Sequence, residues 1–393
     1  MTPMNTGLTL DIADRHVQES LIGRTACDQL TPAERRQYAN RRVLVTAAGG
    51  SVGSELVRRL ADCAPESITL VDQSEYNLFQ IEREIAARWP RVHTNPVLGD
   101  VTRPRVMRAA CETTHPHVVF HAAAYTRVAM LERDVCAAVH TNVLGTVTAL
   151  ESARAADARF VLISSDKAVN PSTVMGATRR LAELVTLARI DEDFGPVVVR
   201  VGNILGSRGS VLKVMADCLH RGQSIPISHE DASRYFMTVG EAATLALRAD
   251  LMRTGGAICW LDVGEPVRIV DLARRLLTLA AHEGIPAVPL SYTGLRPGDK
   301  LTEELTSKAS DRSGNHHVHL RLATHDRVDS GAIRRLLRAL RADVSQADGL
   351  STLSDLCAAV PEYQPSDEAR RAAGLVTLTA ATGCRDGVRR LVA

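Results

Sequence analysis

The stretch from Arg41 to Ala61 constrains this chain more than any other. Val43-Leu44-Val45-Thr46 is a short apolar, β-branched run that leads into Ala47-Ala48-Gly49-Gly50-Ser51-Val52-Gly53. Behind that turn Leu56, Val57 and Leu60 recur at the spacing of one helix face. A strand, a glycine-rich turn and a helix together make a cradle for a pyrophosphate. Glycine lets the backbone come close, and the first helical turn offers free N–H donors and a positive dipole. Ile68-Thr69-Leu70-Val71 reads as a second strand and ends in Asp72, 19 residues beyond Gly53. An acid at that place accepts ribose hydroxyls and repels a 2′-phosphate, so the pattern points to NAD rather than NADP. Gly50, Ser51, Val52 and Gly53 are the expected pyrophosphate contacts, and Asp100-Val101 after a third strand is the expected adenine-side contact. One departure stands out. The first glycine of a GxxGxxG turn is replaced by Ala47, whose methyl group is tolerated where the local φ is negative and otherwise crowds the turn.

Further buried-strand candidates are Val118-Val119-Phe120, Phe160-Val161-Leu162-Ile163 and Val197-Val198-Val199, with amphipathic stretches between them. Strands alternating with helices imply an α/β fold, a Rossmann-type doubly wound parallel sheet covered on both faces. After about Gly206 the elements shorten and become rich in Gly, Pro and Arg, as expected of a smaller C-terminal substrate-binding lobe. The expected division is a helical arm over 1–40, an NAD-binding domain over 41–205, a lobe over 206–366 with elements returning to the core domain, and a tail over 367–393.

Composition narrows the function. With 45% hydrophobic and 23% charged residues, the chain is that of an ordinary globular protein. Lys plus Arg number 47 against 45 for Asp plus Glu, so no broad basic surface for nucleic acid is expected. The eight cysteines form no CxxC pair and read as reduced thiols. No apolar run approaches the roughly 20 residues of a membrane span, and no signal-peptide pattern is present. A cytoplasmic protein is therefore expected. His316-His317-Val318-His319 invites a metal, but no carboxylate partner accompanies it, and no metal site is expected. Arg334, Arg335, Arg338 and Arg341 read as a solvated helix face.

Longer stretches carry a resemblance. In order from about Leu21 to Pro365 the chain contains "VLVTAAGGSVGSEL", "DQSEYNL", "HAAAYTRVAMLE", "TNVLGT", "ISSDKAVNPSTVMGATRRLAE", "VRVGNILGSRGSV", "SRYFMT" and "GLRPGDKLTEEL". These resemble the extended short-chain dehydrogenase/reductase superfamily, and within it the polysaccharide-biosynthesis branch that contains UDP-N-acetylglucosamine 4,6-dehydratases. "LIGR" before the first strand and "VPEYQP" near the end are similar to the cytosolic portion of the large, membrane-anchored members, whose membrane segments are not expected here.

The resemblance implies a hydride cycle on a UDP-sugar: oxidation at C4, loss of the C5 proton, departure of the C6 hydroxyl, and hydride return at C6. It implies Asp166 as acid and Lys167 as base, beside Ser165. A lysine serves as base only where burial lowers its pKa, and an aspartate as acid only where its own is raised. The superfamily's Tyr-x-x-x-Lys pair falls at Met175 and Arg179; methionine is what the large dehydratase subfamily shows, whereas arginine is a departure. Arg179 keeps the charge and can hold the nicotinamide ribose, but it cannot act as a base near neutral pH. Ser74, Ala122, Ala123, Ala124 and Asn142 fall at implied cofactor contacts, with Asn142 alternatively a packing hydrogen bonder. Thr126, Arg127 and Glu132 fall at implied substrate contacts, the first two departing from the family's Lys-His. Asn203, Arg208, Ser210, Arg234 and Arg296 resemble nucleotide-diphosphate contacts, with Glu303 and Glu304 placed to orient Arg296 or to face solvent. Arginine suits that task because its fork grips phosphate oxygens in pairs. A homo-oligomer is implied as well. The alternatives are an epimerase or oxidoreductase on the same scaffold, which needs no acid at C6, and a catalytically impaired NAD- or UDP-sugar-binding protein.

Overall fold

The computed structural model describes residues 10–191, 194–252, 255–306, 320–323 and 328–374. Its backbone contacts divide into two units.

The larger unit comprises Gln29–Val201, Ala243–Asp262 and the chain from Glu304 onward. At its centre lies an eight-stranded sheet. The strands are β1 (Arg42–Thr46), β2 (Ser67–Asp72), β3 (His93–Leu98), β4 (Val118–His121), β5 (Arg159–Ser165), β6 (Val197–Val201), β7 (Ile258–Leu261) and β8 (Leu320–Ala323). Their spatial order is β8-β7-β6-β5-β4-β1-β2-β3, and every neighbouring pair is parallel except β7 with β8. Such an order, with helices between successive strands, is the Rossmann-type doubly wound arrangement, so the expected α/β fold is the observed one. β2, β4 and β6 are buried at every position, as strands covered on both faces must be. β3 is the edge strand, partly exposed, and it carries Pro96, a residue that cannot donate to a ladder and is confined to edges. The order places the β1 and β4 ends side by side, with Thr46 in register with His121. That is the switch point at which such sheets bind ligands beyond the strand ends.

The smaller unit comprises residues up to Asp28 together with Gly202–Ala242 and Val263–Glu303. Its core joins Leu21 and Ile22 to Leu212, Met215, Phe236, Ile269, Leu272 and Leu276. The "LIGR" stretch is therefore structural. Leu21 and Ile22 end the helix Arg15–Ile22, Gly23 caps it at φ 76°, and Arg24 grips the fully buried Glu241 in two places, at 2.5 and 3.1 Å. The contact boundary falls at Asp28 rather than after residue 40. The reason is burial: Leu21 fills the core of the smaller unit, while Tyr38 donates its hydroxyl to Leu247 O and Asp250 in the larger one.

No helix among the described residues is long and apolar enough to cross a membrane. Seven cysteines are described and all are free thiols. Residues 316–319 lie outside the described residues, as does the tail beyond Gly374. Arg334, Arg335, Arg338 and Arg341 are exposed on the helix Ser330–Ser345, as expected.

Candidate active site

The glycine-rich turn is built around one strained residue. Ala47 adopts φ 49°, a left-handed conformation that costs an L-residue with a side chain about 1–2 kcal/mol. The negative φ that would accommodate the methyl group without strain is not adopted. The turn requires the glycine conformation here, because its backbone reverses immediately: Gly50 N–H donates to Ala47 O at 2.9 Å, and Ala48 N–H reaches Val71 O at 3.1 Å. The helix Ser51–Ala61 then starts with Gly50 at its N-cap and no side-chain cap, leaving its first turn open toward an anion. Gly53 is obligatory for packing, since a Cβ there would stand 2.0 Å from the Ala47 carbonyl oxygen. An uncapped helix start behind a close-packed glycine turn fits a dinucleotide pyrophosphate.

Asp72 is buried at the end of β2. Its Oδ2 accepts the Gly49 N–H and its Oδ1 the Ser74 N–H, both at 2.9 Å. Ser74 in turn caps the helix Glu75–Arg88. Each carboxylate oxygen retains a second lone pair for a ribose hydroxyl. Ala47, Asp72, Asp100, Val101, Ala123 and Ala124 line one cleft, joined there by Gln73, Tyr125 and Thr141. Six of the residues singled out for the cofactor thus come together. Ala122 and Ala123 are held by their N–H groups, which donate to Thr46 Oγ1 at 3.1 and 3.2 Å.

Asn142 sits on a π-helical turn, His140–Leu144, a deformation that recurs at functional sites. It is fully buried and its amide is spent. Oδ1 accepts the Tyr125 N–H, and Nδ2 donates to Tyr125 O and Thr178 Oγ1. It positions the cleft-lining segment. Glu132 is similarly committed: Oε1 accepts the Val174 N–H at 2.7 Å and Oε2 the Ser366 hydroxyl at 2.5 Å. Burial pushes its carboxyl up, against the pull of those two donors. Thr126 and Arg127 are exposed.

β5 ends in Ser165, and Asp166–Ala168 forms a 3-10 turn. Asp166 is completely buried. Its Oδ1 accepts the Ser165 hydroxyl and the Lys167 N–H, both at 2.8 Å, and the Lys167 Nζ at 3.1 Å. Its Oδ2 is buried without a hydrogen-bond partner. The helix Val174–Leu187, capped by Thr173, packs directly on this turn. The contact demands Gly176, where a Cβ would meet the Lys167 carbonyl oxygen at 2.3 Å. That helix carries Met175 and, one turn later, Arg179, both buried. Burial pulls the Arg179 guanidinium down to about 10, with Glu183 opposing the shift, so it remains a cation near neutral pH.

Residues not anticipated from the sequence stand beneath this helix. His121 Nδ1 bonds Thr46 Oγ1 at 2.9 Å, and burial and the nearby Arg179 bring the imidazole down to about 3. Ser164 donates to Glu183, which also receives Arg200 and Arg180. The available signal was an arginine inside the otherwise apolar run Val197–Val201. A buried charge must find a partner.

In the smaller unit, Arg234 is buried and donates to the Ser233 and Leu301 carbonyls. Glu303 lies 3.9 Å from Arg234 and from Lys300, so it attends those cations rather than the expected Arg296. Arg208 and Arg296 are exposed, and Ser210 caps the helix Val211–His220. Asn203 donates its N–H to Tyr235 O at 2.8 Å. Glu304, in the larger unit, accepts the Asn170 amide at 2.6 Å.

Residues 43–324 match the profile of a family described as polysaccharide biosynthesis protein. The chain is 39% identical over 295 residues to the capsular polysaccharide biosynthesis protein CapD of Staphylococcus aureus, covering 74% of this chain and 49% of CapD. It is 40% identical over 296 residues to the probable polysaccharide biosynthesis protein EpsC of Bacillus subtilis (strain 168), again covering 74% of this chain and 49% of EpsC. The chain thus spans about half the length of these two relatives. In fold it resembles Pen from Bacillus thuringiensis, with a TM-score of 0.67, 24% identity, and coverage of 77% of this chain and 98% of Pen.

Proposed function

The chain belongs to the family of polysaccharide biosynthesis proteins, and on that premise we propose that it is an NAD-dependent nucleotide-sugar 4,6-dehydratase acting on UDP-N-acetylglucosamine or a related UDP-hexosamine. One observation carries this reading: a fully buried aspartate with one oxygen bonded to the neighbouring lysine and the other without a partner. A carboxyl so placed keeps one acceptor oxygen uncommitted, and the lysine stands beside it.

The residues of the turn at 47–53 would hold the pyrophosphate, Asp72 a ribose, and Arg179 the nicotinamide ribose. Bound there, NAD supplies the hydride acceptor and later the donor. The remaining chemistry belongs to Asp166 and Lys167. Lys167 Nζ and the Asp166 carboxylate stand 3.1 Å apart, and passing one proton from the lysine to the carboxyl yields a neutral acid and a neutral amine. The amine then removes the C5 proton while the carboxyl protonates the departing C6 hydroxyl as water. Elimination leaves an ammonium and a carboxylate, the pair as it stands in the structure, and one proton transfer resets it.

The test is incubation with UDP-N-acetylglucosamine followed by mass spectrometry. A product lighter by one water is expected, and Asp166→Asn should abolish it. A product of unchanged mass would establish an epimerase instead. Nucleotide binding without turnover across several UDP-sugars would sink both, and full activity in Asp166→Asn would refute the assignment of the acid.

A further inference from the structure

The candidate site is reached a second time from the end of the described chain. Glu132 closes the short helix Val128–Leu131 and is buried. Its Oε1 accepts the Val174 N–H at 2.7 Å, and Val174 is the first residue of the helix that carries Met175 and Arg179. An α-helix leaves the N–H groups of its first turn without partners of its own. Thr173 serves that of Gly176, and Glu132 serves that of Val174. The other oxygen of Glu132, Oε2, accepts the Ser366 hydroxyl at 2.5 Å. Ser366 also caps the helix Asp367–Ala372, where its Oγ accepts the Ala369 N–H at 3.1 Å. A hydroxyl carries one proton, so that of Ser366 is committed to Glu132. Two ion pairs flank this line: Arg133 Nε with Glu368 Oε1 at 2.6 Å, and Arg180 Nε with Glu362 Oε1 at 3.3 Å. Between Glu362 and Glu368, Tyr363 packs into the buried cluster that contains Val174 and Met175. All of these residues belong to the larger unit.

We propose that Ser366 and Glu132 are positioning residues for the candidate active site. Through their hydrogen bonds, the segment from Glu362 to Glu368 fixes where the helix carrying Met175 and Arg179 begins against the Asp166–Ala168 turn. This rests on the reading of Asp166 and Lys167 as acid and base. A buried carboxylate needs its donors in place, and hydrogen bonds fix a direction as apolar packing does not. The helix start has no slack on the side of the turn. A Cβ on Gly176 would stand 2.3 Å from the Lys167 carbonyl oxygen, so a shift of the first helical turn is passed to Lys167 and to its neighbour Asp166. Displacing reacting groups by about 1 Å can cost roughly 100-fold in rate. Loss of one of the two bonds to Glu132, with the flanking ion pairs kept, should cost less than that.

Backbone hydrogen exchange of the full chain, read by mass spectrometry, tests the tie without substrate, and turnover of UDP-N-acetylglucosamine tests its role. Glycine is nearly as good as serine at an N-cap, so Ser366→Gly removes the donor to Glu132 while sparing the helix Asp367–Ala372. In that variant, peptides spanning residues 171–178 should exchange about ten-fold faster, while those of the helix Ser51–Ala61 keep the wild-type rate. Its kcat should fall about ten-fold with KM within about two-fold, the split expected when orientation rather than binding is lost. Ser366→Thr keeps the hydroxyl and should restore both readouts. Glu132→Ala should loosen residues 171–178 at least as much, and unchanged protection there would refute the role of the carboxylate. Wild-type exchange over 171–178 in Ser366→Gly, or an equal loss of protection throughout the chain, would overturn the inference. An effect of the same size in Ser366→Thr would sink it as well. Absence of turnover by the wild type would remove the reading of Asp166 and Lys167 itself, whereas wild-type kcat in Ser366→Gly removes only the positioning role.

Discussion

The Asp72 carboxylate accepts the Gly49 N–H at 2.9 Å, which makes the acid at the end of β2 part of the glycine-rich turn after β1. Asp72→Ala would therefore do two things at once. It would leave two backbone N–H groups without acceptors, costing about 1–3 kcal/mol for each that stays buried. It would also remove the ribose acceptor, so NAD affinity should fall at least ten-fold. Urea unfolding and calorimetric titration read the two effects separately. Asp72→Asn, which keeps one acceptor oxygen, should lose less stability than Asp72→Ala.

Ala47 and Gly176 predict opposite outcomes for small changes. Ala47→Gly relieves the left-handed strain of about 1–2 kcal/mol and meets the entropic cost of glycine, about 0.5–1 kcal/mol. A net stabilisation near 0.5–1 kcal/mol is expected in urea unfolding. Gly176→Ala drives a Cβ to 2.3 Å from the Lys167 carbonyl. Backbone must move to relieve that contact, so about 3 kcal/mol of destabilisation is expected, with loss of turnover because Asp166 and Lys167 move with it.

Glu132 predicts a pH dependence of stability. Burial raises its folded-state pKa above the unfolded value, so the folded protein holds this proton to higher pH than the unfolded chain does. Stability from this group is full below the unfolded carboxylate pKa and is lost as pH rises through the raised folded value. Glu132→Gln, which cannot ionise, should lose less stability between pH 4 and pH 7 than the wild type. Thermal unfolding across that range checks the sign.

His121 should not titrate in the physiological range. Thr46 Oγ1 accepts two N–H groups, which fills its lone pairs and sends its own proton to His121 Nδ1. The ring is then the Nε2–H tautomer. Nitrogen NMR of the imidazole should show that tautomer unchanged from pH 5 to pH 8. Thr46→Val would free the Ala122 and Ala123 N–H groups and weaken NAD binding.

The sheet and the turn were legible because their signals are local. Val43–Thr46, Ile68–Val71, Val118–Phe120 and Phe160–Ile163 are short apolar runs between helical stretches, and burial of parallel strands on both faces forces that pattern. The glycine turn and Asp72 are local in the same sense, since their spacing follows from one βαβ unit. Asp166 and Lys167 were found through resemblance and adjoin each other in the chain.

Only the tertiary structure decided what surrounds them. It committed Glu132 to Val174 and to Ser366, 234 residues away, made Asn142 a brace for Tyr125, and built Arg24 onto Glu241 across 217 residues. It also placed Ala47 at a positive φ, where alanine's own preference points the other way. In each case the sequence names a polar or ordinary residue without saying what it will be buried against. Backbone periodicity is dictated by neighbours in the chain, whereas the partner of a buried charge is chosen by packing between elements far apart in it.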